Sequence, residues 1–240
     1  CLSLSNLQKL ASSQFGFSAK ETLETAQSLY EKHKATTYPR TDCGYLPQSQ
    51  FAEAPKVLKA VLSIDESLKP LIDVCDINIK SSVWNDKKVT AHHGIIPTMN
   101  QNVNLSSMSD KERKLYDVIR RHYIAQFLGD YQYFQRSVTL LCEGFTFKVS
   151  DNTPTAQGWK AALHDVEENS SNTKNPLPIL KINETVSQQA SAIESKKTQA
   201  PSRFTEGALI TAMKSIAKYV DDARLKKILK DTAGIGTEAT

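Results

Sequence analysis

The segment TTYPRTDCGYLP, residues 36–47, places a phenol, a guanidinium and a carboxylate at every second position: Tyr38, Arg40 and Asp42. A residue before proline is driven out of the helical region, and proline fixes its own φ, so the Tyr38-Pro39 step is stiff and extended. Side chains two apart in extended backbone share a face, roughly 6 to 7 Å along the chain, so the three groups project together. That trio suits attack on phosphorus. A phenol with a pKa of about 10 forms an aryl phosphate ester whose oxygen is a good leaving group, so the link is reversible. A guanidinium offers a planar fork for two phosphate oxygens and stabilises the charge that grows on them during transfer. Asp42 either orients Arg40 or caps the turn that follows. The bland alternative is a Tyr-Pro loop whose ring only packs against its domain.

A second candidate is VTAHHGIIPT, with His92 and His93 adjacent. Neighbouring side chains point different ways, which does not suit a two-histidine metal grip. One ring can face a phosphate as a cation or proton donor while the other meets core or solvent; a purely structural histidine is the other reading. The third candidate is KTQAPSRFTEGAL, where Lys197 and Arg203 flank Pro201 ahead of a helix that begins near Thr205. Cations suit a helix N-terminus poorly. They either reach outward to an anion that the helix end also attracts or belong to a solvated strap. His33 and Lys34 are cations of the opposite kind, placed where a helix C-terminus favours them.

The elements that must hold these groups follow from apolar spacing. SLSNLQKLASSQFG carries Leu4, Leu7, Leu10 and Ala11 on one helical stripe, with Gly16 as a stop. SAKETLETAQSLYEKHK opens with Ser18 and Glu21 in the capping-box relation and sets Leu23, Ala26 and Leu29 or Tyr30 on one face. Joined at Gly16 to Ser18, the two resemble a helix-turn-helix pair. Amphipathic runs continue in FAEAPKVLKAVLS and ESLKPLIDVCD, and SDKERKLYDVIRRHYIAQFL is a long helix capped by Ser109 with Glu112. Beyond Asp130 the period changes to two. RSVTLLCEGFTFKVSD reads as a β-hairpin about Glu143-Gly144, with Phe145, Phe147 and Val149 alternating with polar residues. WKAAL and PILKINETV read as further strands on either side of the polar loop HDVEENSSNTKNP. The connector ESKKTQAPSR then leads to amphipathic helices in FTEGALITAMKSIAKYV and ARLKKILKD. The expected class is α+β: a helical, tyrosine-bearing part with helix-turn-helix or winged-helix character, an antiparallel β-rich segment, and the start of a second helical part.

The 240 residues hold 30 basic and 26 acidic side chains, a net charge of +4, and 40% apolar residues. That composition permits nucleic acid as a partner without demanding it, and argues against disorder. Cys1, Cys43, Cys75 and Cys142 are widely spaced, form no CxxC pair and lie near no histidine at a zinc-ligand spacing, so they read as thiols. No apolar run approaches the ~18 to 20 residues that span a bilayer, and the start lacks the plan of a signal peptide, so a cytoplasmic chain is expected. A first residue that is not methionine, and an end at IGTEAT, suggest a piece cut from a longer polypeptide.

Taken together, these stretches resemble the type IA DNA topoisomerases, in the bacterial topoisomerase III branch of that isomerase family. TTYPRTDCGYLP resembles the active-site tyrosine motif, AHHGIIPT the histidine motif, and TQAPSRFTEGAL with DTAGIGTEAT the segments leading into a DNA-binding helical domain. YPRTDC in place of a methionine-arginine version, and HHGIIP in place of a histidine-glutamate-alanine version, point to topoisomerase III. The resemblance implies that Tyr38 attacks a single-stranded DNA phosphodiester, giving a 5′-phosphotyrosyl link and a free 3′-hydroxyl, so that a strand passes before resealing without ATP. Arg40 would stabilise the transferring phosphate and His92 would contact or position a nearby one. Lys34, Asp42, His93, Lys197 and Arg203 would contact DNA, with His93 ranked below His92. The family's Mg²⁺ and a catalytic glutamate belong to a Toprim domain that is missing from these residues, so no metal is expected here and this chain alone should not relax DNA. The implied division is a helical gate at residues 1–125, an arch segment at 126–199 and the start of a DNA-binding helical domain from 200 to 240. In the family the arch is built from two chain segments, so unpaired strand edges are expected. The implied partners are single-stranded DNA and the Toprim domain, with no membrane and an open oligomeric state. Two other readings fit less of the pattern. One is a non-enzymatic helix-turn-helix DNA-binding module with TTYPRT as its wing. The other is a relaxase or recombinase, which would need clustered histidines or a C-terminal tyrosine.

Overall fold

The structure, a computed structural model, describes residues 1–163, 177–187, 190 and 192–230. The loop HDVEENSSNTKNP and the end DTAGIGTEAT lie outside the described residues. Helix α1 (Leu4–Phe15) and helix α2 (Ala19–Glu31) form as their patterns require. Gly16 takes the left-handed conformation at φ 70°, with its own N–H on Ser12 O and that of Phe17 on Ala11 O. That is the glycine-terminated stop in which two otherwise unpaired carbonyls are satisfied. The Ser18/Glu21 capping box is complete, and the Ser109/Glu112 box opens α5 (Asp110–Ile124) in the same way.

Two apolar clusters meet along α5. The first joins Leu7, Ala11, Ala26 and Leu29 to Leu115 and Ile119. The second gathers Val57, Leu58 and Val61 of α3 (Ala54–Ile64) with Leu46, Trp84, Tyr123 and Phe127. Ile95 enters the first cluster and its neighbour Ile96 the second, as consecutive side chains of an extended segment must point opposite ways. ESLKPLIDVCD is shorter than its pattern suggests: after a 3₁₀ turn at Glu66–Leu68, α4 covers only Lys69–Ile72. Pro70 is tolerated only in a first helical turn, so the helix cannot extend backward through it.

Strands β1 (Gln132–Cys142) and β2 (Phe145–Ala156) pair antiparallel. Glu143 (φ 47°) and Gly144 (φ 80°) both lie in the left-handed region, the two-residue turn that matches strand twist. The register puts Phe134, Val138 and Leu140 on the same face as Val149, Phe147 and Phe145, and Phe134, Phe145 and Phe147 are 72%, 70% and 58% exposed. Neither edge pairs with a third strand among the described residues.

The expected extra strands do not form. WKAAL falls in a 3₁₀ turn, Gly158–Ala162. Gly158 (φ 46°) packs against the Gly129-Asp130 backbone, the Trp159 N–H bonds Gly129 O at 2.8 Å, and Ala162 seats in the second cluster. PILKINETV has no strand among its described residues; it turns at Lys181–Glu184, with Asn183 at φ 62°. Alternation marks a strand only where a neighbouring strand or packed face receives it, and β1 and β2 satisfy only each other. Further along, α6 (Glu206–Lys214) lies on α1 so closely that a Cβ on Gly207 would come within 2.8 Å of Ser12 Cβ. Helix α7 (Ala223–Lys230) follows.

Candidate active site

The tyrosine segment is laced between two remote stretches of chain. Leu4 N–H bonds Thr41 O at 2.8 Å, Thr37 N–H bonds Ile96 O at 2.9 Å, Ile95 N–H bonds Leu2 O at 2.8 Å and Gly94 N–H bonds Tyr45 O at 2.8 Å. Thr37 Oγ1 adds a two-way clasp, accepting from Ile96 N–H at 3.0 Å and donating to Gly94 O at 3.3 Å. A Cβ on Gly94 would meet Cys1 Cβ at 3.1 Å and the Gly44 carbonyl carbon at 3.2 Å. The absence of a side chain there lets the histidine loop lie against the tyrosine loop.

Thr41 N–H bonds Pro39 O at 3.0 Å, so the backbone turns at Arg40 where a regular strand was expected. Pro39 has no N–H to give a ladder. The alternation nevertheless holds: Pro39, Thr41 and Cys43 are buried, Arg40 and Asp42 are exposed and Tyr38 is half-buried. The Tyr38 ring lies 4.8 Å from His92, inclined at 44°, and 5.7 Å from Tyr30, nearly perpendicular at 83°. Neither the Tyr38 hydroxyl nor the Arg40 guanidinium has a hydrogen-bond or ion-pair partner among the described residues. Both are available to a ligand.

Asp42 neither orients Arg40 nor caps the next turn; it accepts from Thr90 Oγ1 at 3.0 Å and so joins the tyrosine and histidine loops. His92 is exposed beside Tyr38. His93 turns the other way, as neighbours must. Its Nδ1 donates to Gly94 O at 2.8 Å, which leaves Nε2 to accept from Gln50 Nε2 at 3.2 Å. Both its nitrogens are engaged within the protein, whereas the DNA contact expected of it would need one free.

Lys34, in the left-handed region at φ 50°, reverses the chain after α2 and holds its ammonium 5.9 Å from the Tyr30 ring centre. Its carbonyl accepts from Thr98 Oγ1 at 2.7 Å. The result is a row running Lys34, Tyr30, Tyr38, His92. Behind it, Glu112 accepts from Ser28 Oγ at 2.6 Å, from His33 Nε2 at 3.2 Å and from Ser109 N–H at 2.7 Å. Burial alone would raise the Glu112 carboxyl, but these hydrogen bonds outweigh it and bring its pKa down to about 2.

Lys197 and Arg203 are not part of this arrangement. Both are exposed, and neither touches Tyr38, Arg40 or His92. The start of α6 is already served by the Thr205 side chain, which accepts from Ala208 N–H, and the Glu206 carboxylate accepts from Ala19 N–H at the start of α2. Sequence reasoning left Tyr30, Thr37, Gln50 and Thr90 without a role at the site. An aromatic residue on the last turn of the helix before the tyrosine loop was the one available signal. No cluster of three or more His, Cys, Asp or Glu suited to a metal ion occurs among the described residues, and all four cysteines are free thiols. No helix among them is long and apolar enough to cross a membrane.

An available phenol beside an imidazole, with an unpaired guanidinium two residues on, is a set of groups with the chemistry to meet a phosphate. The family model described as DNA topoisomerase matches residues 1–240, and the chain belongs to that family, in its type IA, topoisomerase III-like branch. It is 44% identical over 239 residues to DNA topoisomerase 3 of Haemophilus influenzae, covering 99% of this chain and 36% of the relative. It is 43% identical over 240 residues to that of Pasteurella multocida (99% and 36%) and 38% identical over 244 residues to that of Bacillus subtilis (99% and 33%). The chain thus spans about a third of the length of the curated relatives it matches. Its fold is similar to full-length topoisomerase I from Thermotoga maritima, with a TM-score of 0.60 at 21% identity over 100% of this chain and 36% of that one. The plain helix-turn-helix regulator is not favoured by these findings.

Proposed function

We propose that Tyr38 is the nucleophile with which the complete protein opens and reseals single-stranded DNA. The Tyr38 oxygen bonds to phosphorus as the bond from phosphorus to the 3′ oxygen breaks, and the proton given up by the phenol balances the one gained by the 3′-hydroxyl. The ester conserves the bond energy, so the reverse attack reseals the strand after another has passed. Arg40 would hold the two non-bridging oxygens in its fork, with His92 as a second donor or cation beside them. Lys34 would add charge at the other end of the row, and Lys197 and Arg203 would hold backbone phosphates farther along. Asp42 and His93 would act on DNA indirectly, by fixing the two loops. Mg²⁺ would be held by a Toprim domain outside this chain and would supply charge neutralisation at the phosphate.

The observation that carries this reading is the Tyr38 hydroxyl, unpartnered among the described residues on a half-buried ring in contact with His92. We also read the chain as a helical gate at 1–125, an arch segment at 126–199 and the start of a DNA-binding helical unit at 200–240; neither core cluster draws a residue from the hairpin, while the second takes in Phe127, Leu128 and Ala162 from beyond residue 125. In the complete protein, Tyr38→Phe should abolish the covalent adduct with a single-stranded oligonucleotide, detected after denaturation, while non-covalent binding survives. Persistence of the adduct would refute the assignment.

A further inference from the structure

We propose that Tyr30 is a positioning residue for Tyr38, fixing the direction in which the phenol points; this rests on the nucleophilic role proposed for Tyr38. Pro39 restrains the backbone of the tyrosine, but nothing in that restraint fixes χ1 and χ2. The hydroxyl has no anchor among the described residues, so the ring is aimed by its neighbours. It has two aromatic contacts, His92 at 4.8 Å and Tyr30 at 5.7 Å. His92 sits on an exposed loop position. Tyr30 is on firmer ground. It occupies the last turn of α2, between Ser28 and His33, and both of those side chains hydrogen-bond the buried Glu112 at the start of α5. The ring that meets Tyr38 is therefore mounted on a turn tied to a second helix.

In-line attack on phosphorus tolerates little error in placement, and a misplacement of about 1 Å can cost on the order of a hundredfold. A perpendicular aromatic contact biases a rotamer equilibrium by about three- to tenfold. Removing the Tyr30 ring should thus lower the share of molecules whose phenol is aimed productively by that factor, while the other group at that ring, the Lys34 ammonium 5.9 Å from its centre, keeps its charge for DNA.

The test uses the complete protein and a single-stranded oligonucleotide, with the single-turnover rate of covalent adduct formation and the non-covalent Kd measured separately. Tyr30→Ala should slow adduct formation about three- to tenfold at unchanged Kd, and Tyr30→Phe, which keeps the ring, should restore the wild-type rate. Tyr30→Leu keeps bulk without an aromatic edge and should behave like the alanine variant, which preserves the test if alanine impairs folding. Equal rates in all variants would overturn the proposal, as would a phenylalanine variant as slow as alanine or a loss carried entirely by Kd. A Tyr38→Phe protein that still forms the adduct would overturn the functional reading itself, whatever the Tyr30 variants do.

Discussion

Two segments of the molecule set a proline beside an arginine or lysine, and they differ in how they are held. Residues 36–46 are stitched by backbone hydrogen bonds to residues 4, 94 and 96 and bury the threonines at 36 and 41. Residues 192–204 make no backbone hydrogen bond among the described residues and carry one exposed ion pair, Lys196–Glu194. A nucleophile needs a fixed direction, and fixing one takes partners from distant parts of the chain. A contact with a flexible polyanion needs only charge within reach. Proline stiffens both segments; only the first has somewhere to be stiff against.

Breaking that contrast should give effects in a definite order. Tyr38→Phe, on the laced segment, should take adduct formation to background while leaving binding in place. Next, Gly94→Val would drive a side chain into the Cys1 side chain and the Gly44 backbone. A loss of roughly 3 kcal/mol in a denaturant titration is expected, the upper range for overpacking. Smaller is Glu112→Gln, which removes a charge-assisted acceptor and should cost about 2 kcal/mol near neutral pH. Because the folded carboxyl titrates near 2, below its ordinary value of about 4.3, the stability it contributes is present above that ordinary value and is lost as pH falls toward 2. The gap between wild type and Glu112→Gln should therefore close across that window in thermal melts. Least disruptive are Lys197→Ala and Arg203→Ala, each expected to leave stability within about 0.5 kcal/mol. Each should lower the slope of log affinity for single-stranded DNA against log salt by about 0.7. An unchanged slope would remove that segment from the DNA path.

What was legible in the sequence was mainly local. Ser18 with Glu21, Ser109 with Glu112 and the glycine stop at Gly16 are complete within one turn of helix, and each took the form expected of it. So did the Glu143-Gly144 turn, because two residues at positive φ determine a hairpin without reference to anything distant. The outward projection of Tyr38, Arg40 and Asp42 was legible for the same reason. The partner of Asp42 was not, since Thr90 is brought to it by folding. Helical spacing left Leu29 or Tyr30 for the apolar face, and the meeting of Tyr30 with Tyr38 depends on a chain reversal at Lys34, a residue that rarely takes positive φ. WKAAL fails as a strand because no described edge receives it.

The pair Ile95 and Ile96 carries one more consequence. Each is a peg in a different hydrophobic cluster, and their amides bond Leu2 O and Thr37 Oγ1. The loop bearing His92 therefore cannot slip past the tyrosine without unseating a peg, so the two side chains move as one body. Amide protons of this stretch should exchange with solvent only when the helical unit opens as a whole, in step with its most protected helix.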